Sequence, residues 1–210
     1  MRYGLFCAVL FVFTAGAVAG PPGKPVIGGL TNPKDNKTEV ATPLPASQKK
    51  KNVGGRDGAG LCVFTSIEYC ARYQNEPRLF DLQKNMTKEP GGGYPEKVDA
   101  MIKKYGNGTR YVQDTTGNVE LLKLAIKTGR PCGVTYDGYD DHYGYGRPIA
   151  HMVQLVYIDN DYACISDNNY PADNQYVWMT TSEFVARWTG NGGGWCVILL
   201  NPPPPPPPTN

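Results

Sequence analysis

The apolar residues of this chain change their main period after Lys127. Up to Lys127 they recur at helical spacing, and from Cys132 onward they gather in short strand-like runs. Val63, Phe64, Ile67, Cys70 and Ala71 define a helix from Cys62 to Tyr73, with Thr65, Glu68 and Arg72 on its more polar side. A second helix is expected from Pro95 to Lys104, with Pro95 in its first turn and Gly106 as its stop. A third is expected from Val119 to Lys127, capped by Asn118 and ended by Gly129. Cys132 to Tyr136, Met152 to Ile158, Tyr162 to Ser166, Tyr176 to Met179 and Trp195 to Leu200 read as strands. A short helix from Ser182 to Trp188 falls between the last two. Helices followed by strands predict an α+β domain.

The flanks of that domain differ from it in composition. Residues 1–19 have the form of an export signal: Arg2 as the charged start, an apolar run from Leu5 to Phe13, and Ala17-Val18-Ala19 as the cleavage site. The apolar run falls short of the roughly 20 residues that span a bilayer, so no stable membrane anchor is expected. The mature protein is expected to be secreted, or periplasmic and otherwise extracytoplasmic. Residues 20–52 are rich in Pro, Gly, Lys, Thr and Asn without a sustained period, and read as a disordered linker. Residues 53–201 form the folded domain, and 202–210 a polyproline tail. Its seven prolines form either a stiff spacer or a ligand for a proline-reading partner. A net charge of +2, with the one basic cluster at Lys49-Lys50-Lys51 and no interleaved aromatics, argues against nucleic acid.

Only two histidines occur, so imidazole-assisted chemistry has few candidates. Gly58-Ala59-Gly60-Leu61-Cys62 brings small residues to a cysteine that opens a helix. There, unpaired N–H groups and the helix dipole favour a thiolate. The small residues also let a substrate backbone approach, and let the Cys62 N–H face a developing oxyanion. A buried structural cysteine is the competing reading at this point. His151 starts a strand on which Val153, Leu155 and Tyr157 share its face, and Asp159-Asn160-Asp161 supplies turn residues before Tyr162. A three-residue turn would oppose Ile158 to Tyr162 and Val153 to Asp167, bringing Asp167 within reach of His151. An even-length loop would bring Asn168 there instead. The expected roles are Cys62 as nucleophile, His151 as base, and Asp167 as the group that fixes the imidazole, with Asn168 the alternative.

Removing the leader leaves Cys62, Cys70, Cys132, Cys164 and Cys196, an odd number, so at most two disulfides can form and Cys62 is the one expected to stay free. No C-x-x-C pair exists and His142 lacks suitably spaced partners, so neither a metal nor another cofactor is expected. The Tyr-, Gly- and acid-rich stretch from Tyr136 to Gly146 reads as a loop that either lines a cleft or is simply solvated, with His142 as an exposed imidazole. Trp178, Trp188 and Trp195 are expected in the core.

With these residues in place, the chain resembles the papain-like cysteine peptidase superfamily, and within it the bacterial C39-like peptidases. The resemblance spans nearly all of the folded segment. It rests on the glycine-rich approach to Cys62, on His151 beginning a strand, on Asp167 sixteen residues later, and on Trp178-Met179-Thr180-Thr181-Ser182-Glu183-Phe184 ahead of Trp188. It implies a two-lobe fold, a helical lobe carrying Cys62 and an antiparallel β lobe carrying His151 and Asp167. It also implies cleavage of amide bonds in a peptide or protein substrate through an acyl-enzyme. One position departs from the family pattern: where a glutamine usually helps bind the oxyanion, six residues before the nucleophile, this chain has Arg56. Arg56 is therefore the oxyanion-hole candidate. The alternatives are transglutaminase- or amidase-type acyl transfer on the same triad, a catalytically silent binding module, and a structural exported protein.

Overall fold

The structure is a computed structural model and describes residues 24–137, 150–190 and 193–202. The described residues form seven strands and five α-helices. They run β1 (Val26–Gly28), α1 (Cys62–Tyr73), α2 (Leu82–Met86), α3 (Pro95–Tyr105), β2 (Tyr111–Asp114), α4 (Val119–Lys127), β3 (Cys132–Asp137), β4 (Ala150–Ile158), β5 (Tyr162–Ser166), β6 (Tyr176–Thr180), α5 (Thr181–Gly190) and β7 (Cys196–Leu199). Local chemistry sets several ends. The Asn118 side chain accepts from the Leu121 N–H at 3.1 Å and so caps α4, and Gly129 takes the left-handed conformation (φ 74°) that closes it. Pro95 sits in the first turn of α3, where its missing N–H costs nothing.

All strands join one antiparallel sheet in the order β1-β6-β5-β4-β3-β7-β2. Alternation along the strands feeds two cores. Val134, Val153, Leu155, Cys196 and Ile198 point to the side covered by α4 and α5, where Phe184 and Trp188 stack at 5.9 Å. Met152, Val197 and Leu199 point to the other side, which α1, α2 and α3 cover with Phe64, Ile67, Leu82, Val98 and Ile102. The mixed helix and antiparallel-sheet architecture thus matches the expectation. The helices around Cys62 share their core with β4 and β7, however, so a helical lobe set apart from a β lobe is not what the packing traces. Trp178, Trp188 and Trp195 are all buried.

The reading of residues 20–52 as a disordered linker is corrected within the described residues 24–52. Val26, Ile27 and Gly28 pair with Trp178, Val177 and Tyr176 at the sheet edge, while Val40 and Leu44 are buried beside Tyr69, Tyr176 and Trp178. Lys49, part of the basic cluster assigned to the linker, is buried, with its Nζ 4.1 Å from the Tyr176 ring centroid and bonded to the Ala172 carbonyl. The composition concealed this because the arm borrows its core from β4, β5, β6 and α1 rather than making one of its own. Residues 1–19, read as an export signal, the tyrosine-rich stretch from 138 onward with His142, and the prolines from 203 lie outside the described residues.

The β4–β5 connection also differs from the expected turn, though its outcome does not. Ile158 pairs with Ala163, not Tyr162, so the turn holds four residues. Asp159 shapes it by accepting the N–H groups of Asp161 and Tyr162 on its Oδ1, at 2.8 and 2.7 Å. An irregularity between Leu155 and Tyr157 then shifts the register by one, and beyond it Leu155 pairs with Ile165 and Gln154 with Ser166. One further step sets Val153 against Asp167. Turn and bulge cancel, and Asp167 keeps the parity that a three-residue turn would have given it.

Candidate active site

Cys62 is the first residue of α1 and is buried, 8 % exposed. The sequence upstream folds into a tight glycine hairpin. The Gly55 N–H donates to Ala59 O and the Gly58 N–H to Gly55 O, with Gly58 at φ 79°. That hairpin is fastened to the next loop through Gly92 N–H to Gly60 O (2.8 Å) and Gly91 N–H to the Asp57 carboxylate. A side chain at Gly91 would collide with the Ala59 carbonyl, so the bare backbone there permits the close approach.

His151 stands opposite Tyr136 in the β3–β4 ladder and is 6 % exposed. Its Nε2 lies 2.8 Å from Asp167 Oδ1, and the Asp167 carboxylate is fully buried. The Asn169 N–H donates to the same oxygen at 2.8 Å. Because Nε2 faces Asp167, Nδ1 is the ring nitrogen left to face Cys62, and the thiol and imidazole lie close enough to shift each other's titration.

The pair shifts in opposite directions. Burial pushes the Cys62 thiol up. The hydrogen bond to His151, the imidazolium charge and the N–H groups of Met152 and Val63 outweigh it and bring the thiol below its ordinary value. For His151, burial lowers the pKa, but bonds to Asp167 and Cys62 and their negative charges raise it well above the usual histidine range. Both shifts favour a thiolate–imidazolium pair.

Asn168 does not take the orienting place. Its Nδ2 lies 2.9 Å from Met152 O, 3.0 Å from Ser66 Oγ and 3.2 Å from Cys62 O, so it fastens the start of α1 to β4. Ser66 completes this buried junction: it donates to Met152 O at 3.0 Å and accepts from Gln154 Nε2 at 2.9 Å. Sequence reading missed Ser66 and Gln154, whose only signal was a polar residue on an otherwise apolar helix face and strand. Arg56 is exposed. Its backbone N–H bonds to Glu89 O, its charge acts on the Glu89 carboxylate, and its guanidinium makes no hydrogen bond among the described residues. The structure therefore brings Cys62, His151 and Asp167 together and leaves Arg56 apart from their hydrogen bonds.

All five described cysteines are free thiols. No group of three or more His, Cys, Asp or Glu suited to a metal ion occurs among the described residues. No helix of the described residues is long and apolar enough to cross a membrane.

No protein-family model matches this chain, and no curated protein does. Among solved structures it is similar to a protein of Bacillus anthracis named as a C39-like peptidase, with 15% identity and a TM-score of 0.49, over 74% of this chain and 100% of that one.

Proposed function

We propose that the protein is a thiol-dependent peptidase that cleaves amide bonds through an acyl-enzyme. The observation that carries this reading is His151, whose Nε2 rests 2.8 Å from the buried Asp167 carboxylate and whose imidazole acts on the Cys62 thiol at the start of α1. The Cys62 thiolate attacks the carbonyl carbon, forming a C–S bond and a tetrahedral oxyanion. His151 then gives its proton to the departing amine nitrogen as the C–N bond breaks. In the second half His151 takes a proton from water, the resulting hydroxide attacks the thioester, and the carboxylic acid leaves as Cys62 is restored. Asp167 keeps the Nε2 proton on its own side of the ring, so that Nδ1 serves the sulfur and the imidazolium is stabilised. The Cys62 N–H, at the start of α1, is the backbone donor for the oxyanion. Export fits the same proposal, on the strength of the charged start, apolar run and Ala17-Val18-Ala19 site of residues 1–19.

Incubation of the mature chain with a denatured protein mixture, followed by labelling of new amino termini, tests the chemistry. New termini are expected with the wild type and none with Cys62→Ala. Asp167→Asn should retain cleavage at a rate lower by about 10²–10⁴. If the wild type and Cys62→Ala release the same termini, protein hydrolysis is the wrong reaction for this site.

A further inference from the structure

The arm that precedes the domain reaches the site at two points. Val156, the residue that the β4–β5 bulge leaves without a strand partner, offers its carbonyl to the N–H groups of Ala41 (3.1 Å) and Thr42 (3.2 Å) and to the Thr42 hydroxyl (3.2 Å). The arm thus satisfies the bulge that holds Asp167 in register. At its far end, Asn52 clasps the segment after Asp167. Its backbone N–H donates to Asn168 O at 2.7 Å and its Nδ2 to Asn169 Oδ1 at 3.0 Å. The Asn169 amide in turn lies 3.4 Å from His151 Nε2, and its backbone N–H holds the Asp167 oxygen that His151 uses. Asn52 is also the neighbour that Gly60, two residues before Cys62, would meet at 3.2 Å if it carried a side chain. One amide therefore sits between the approach to the nucleophile and the loop that orients the base.

We propose that Asn52 is a positioning residue, and that docking of the arm holds His151 in its working orientation through Asn169 and Asp167. This rests on the reading of Cys62 and His151 as a working pair.

The pH dependence of Cys62 alkylation by iodoacetamide in the full chain tests this without any substrate. Asn52→Ala is expected to raise the midpoint by about half a pH unit. Asn169→Ala should raise it as much, and the double variant no further, since both act through one contact chain. Asn52→Leu fills the same volume without the amide, and reads the same quantity if the alanine variant unfolds. A midpoint unmoved by Asn52→Ala or Asn52→Leu in a chain of wild-type circular dichroism overturns the inference, because a merely structural asparagine would lower stability alone. His151→Ala is the control for the underlying reading. If it too leaves the midpoint in place, the Cys62–His151 pair has failed; if it moves the midpoint and Asn52 does not, only the role of the arm has.

Discussion

Cys62 and Cys70 belong to one helix, about two turns apart, and are buried alike, yet their thiols shift in opposite directions. At Cys70 burial dominates and pushes the thiol up to about 12, with only the Gly133 and Cys70 N–H groups opposing it. At Cys62 the same penalty is exceeded by an imidazolium, the Val63 N–H of the helix start and the Met152 N–H of β4. Cys132, Cys164 and Cys196 follow Cys70: burial raises each of them. Burial by itself makes a cysteine a small core residue. What sets Cys62 apart is its place at the end of the helix, where backbone donors are unspent and β4 delivers a histidine.

Abolishing that contrast gives the largest effect. In the native wild type, alkylation of Cys62 should persist at pH values well under the ordinary thiol value of 9.0, and decline as pH falls through its depressed pKa. Cys70, Cys132, Cys164 and Cys196 should label only after unfolding. His151→Ala removes both the bond and the charge, so burial is left to act and the Cys62 midpoint should rise to 9.0 or above, like that of its neighbours. Peptide turnover should fall by about 10⁴–10⁶. A midpoint that stays low in this variant would mean that the N–H groups alone distinguish Cys62 from Cys70.

A smaller effect is expected where α1 is fastened to β4. Ser66→Ala leaves Gln154 and Asn168 short of a buried partner, at a cost of about 2 kcal/mol in urea denaturation. The Cys62 midpoint should not move, separating the helix's anchorage from its chemistry. The smallest effect is expected at Arg56. An exposed guanidinium without a hydrogen bond predicts a change in turnover within about threefold for Arg56→Ala, whereas an oxyanion donor would cost about 10²–10³.

Much of this was legible in the chain. The limits of α1 and α4 could be read from periodicity and from Asn118 and Gly129, because those signals are local. Cys62, His151 and Asp167 could be named because a nucleophile needs small residues before it and only two histidines were on offer. Edge strands β1 and β2 escaped notice because three or four residues carry too little alternation, and β1 acquires its partner only in the folded sheet. The arm escaped because its few apolar residues, Val40 and Leu44, are buried against tyrosines and Trp178 far along the chain. Asn168 was recognised as a polar residue near the base, but only packing tells that its amide faces α1 rather than the imidazole.

The four-residue turn and the Val156 irregularity reach the parity of a shorter turn by two offsets of opposite sense. What keeps Asp167 opposite Val153 is therefore the pairing of the strands and not the length of the turn: a residue lost inside the turn while Ile158 still meets Ala163 leaves the acid where it is. The bulge is the sensitive element. Straightening β4 with Val156 kept would advance every pair beyond it by one and bring Asn168 opposite Val153.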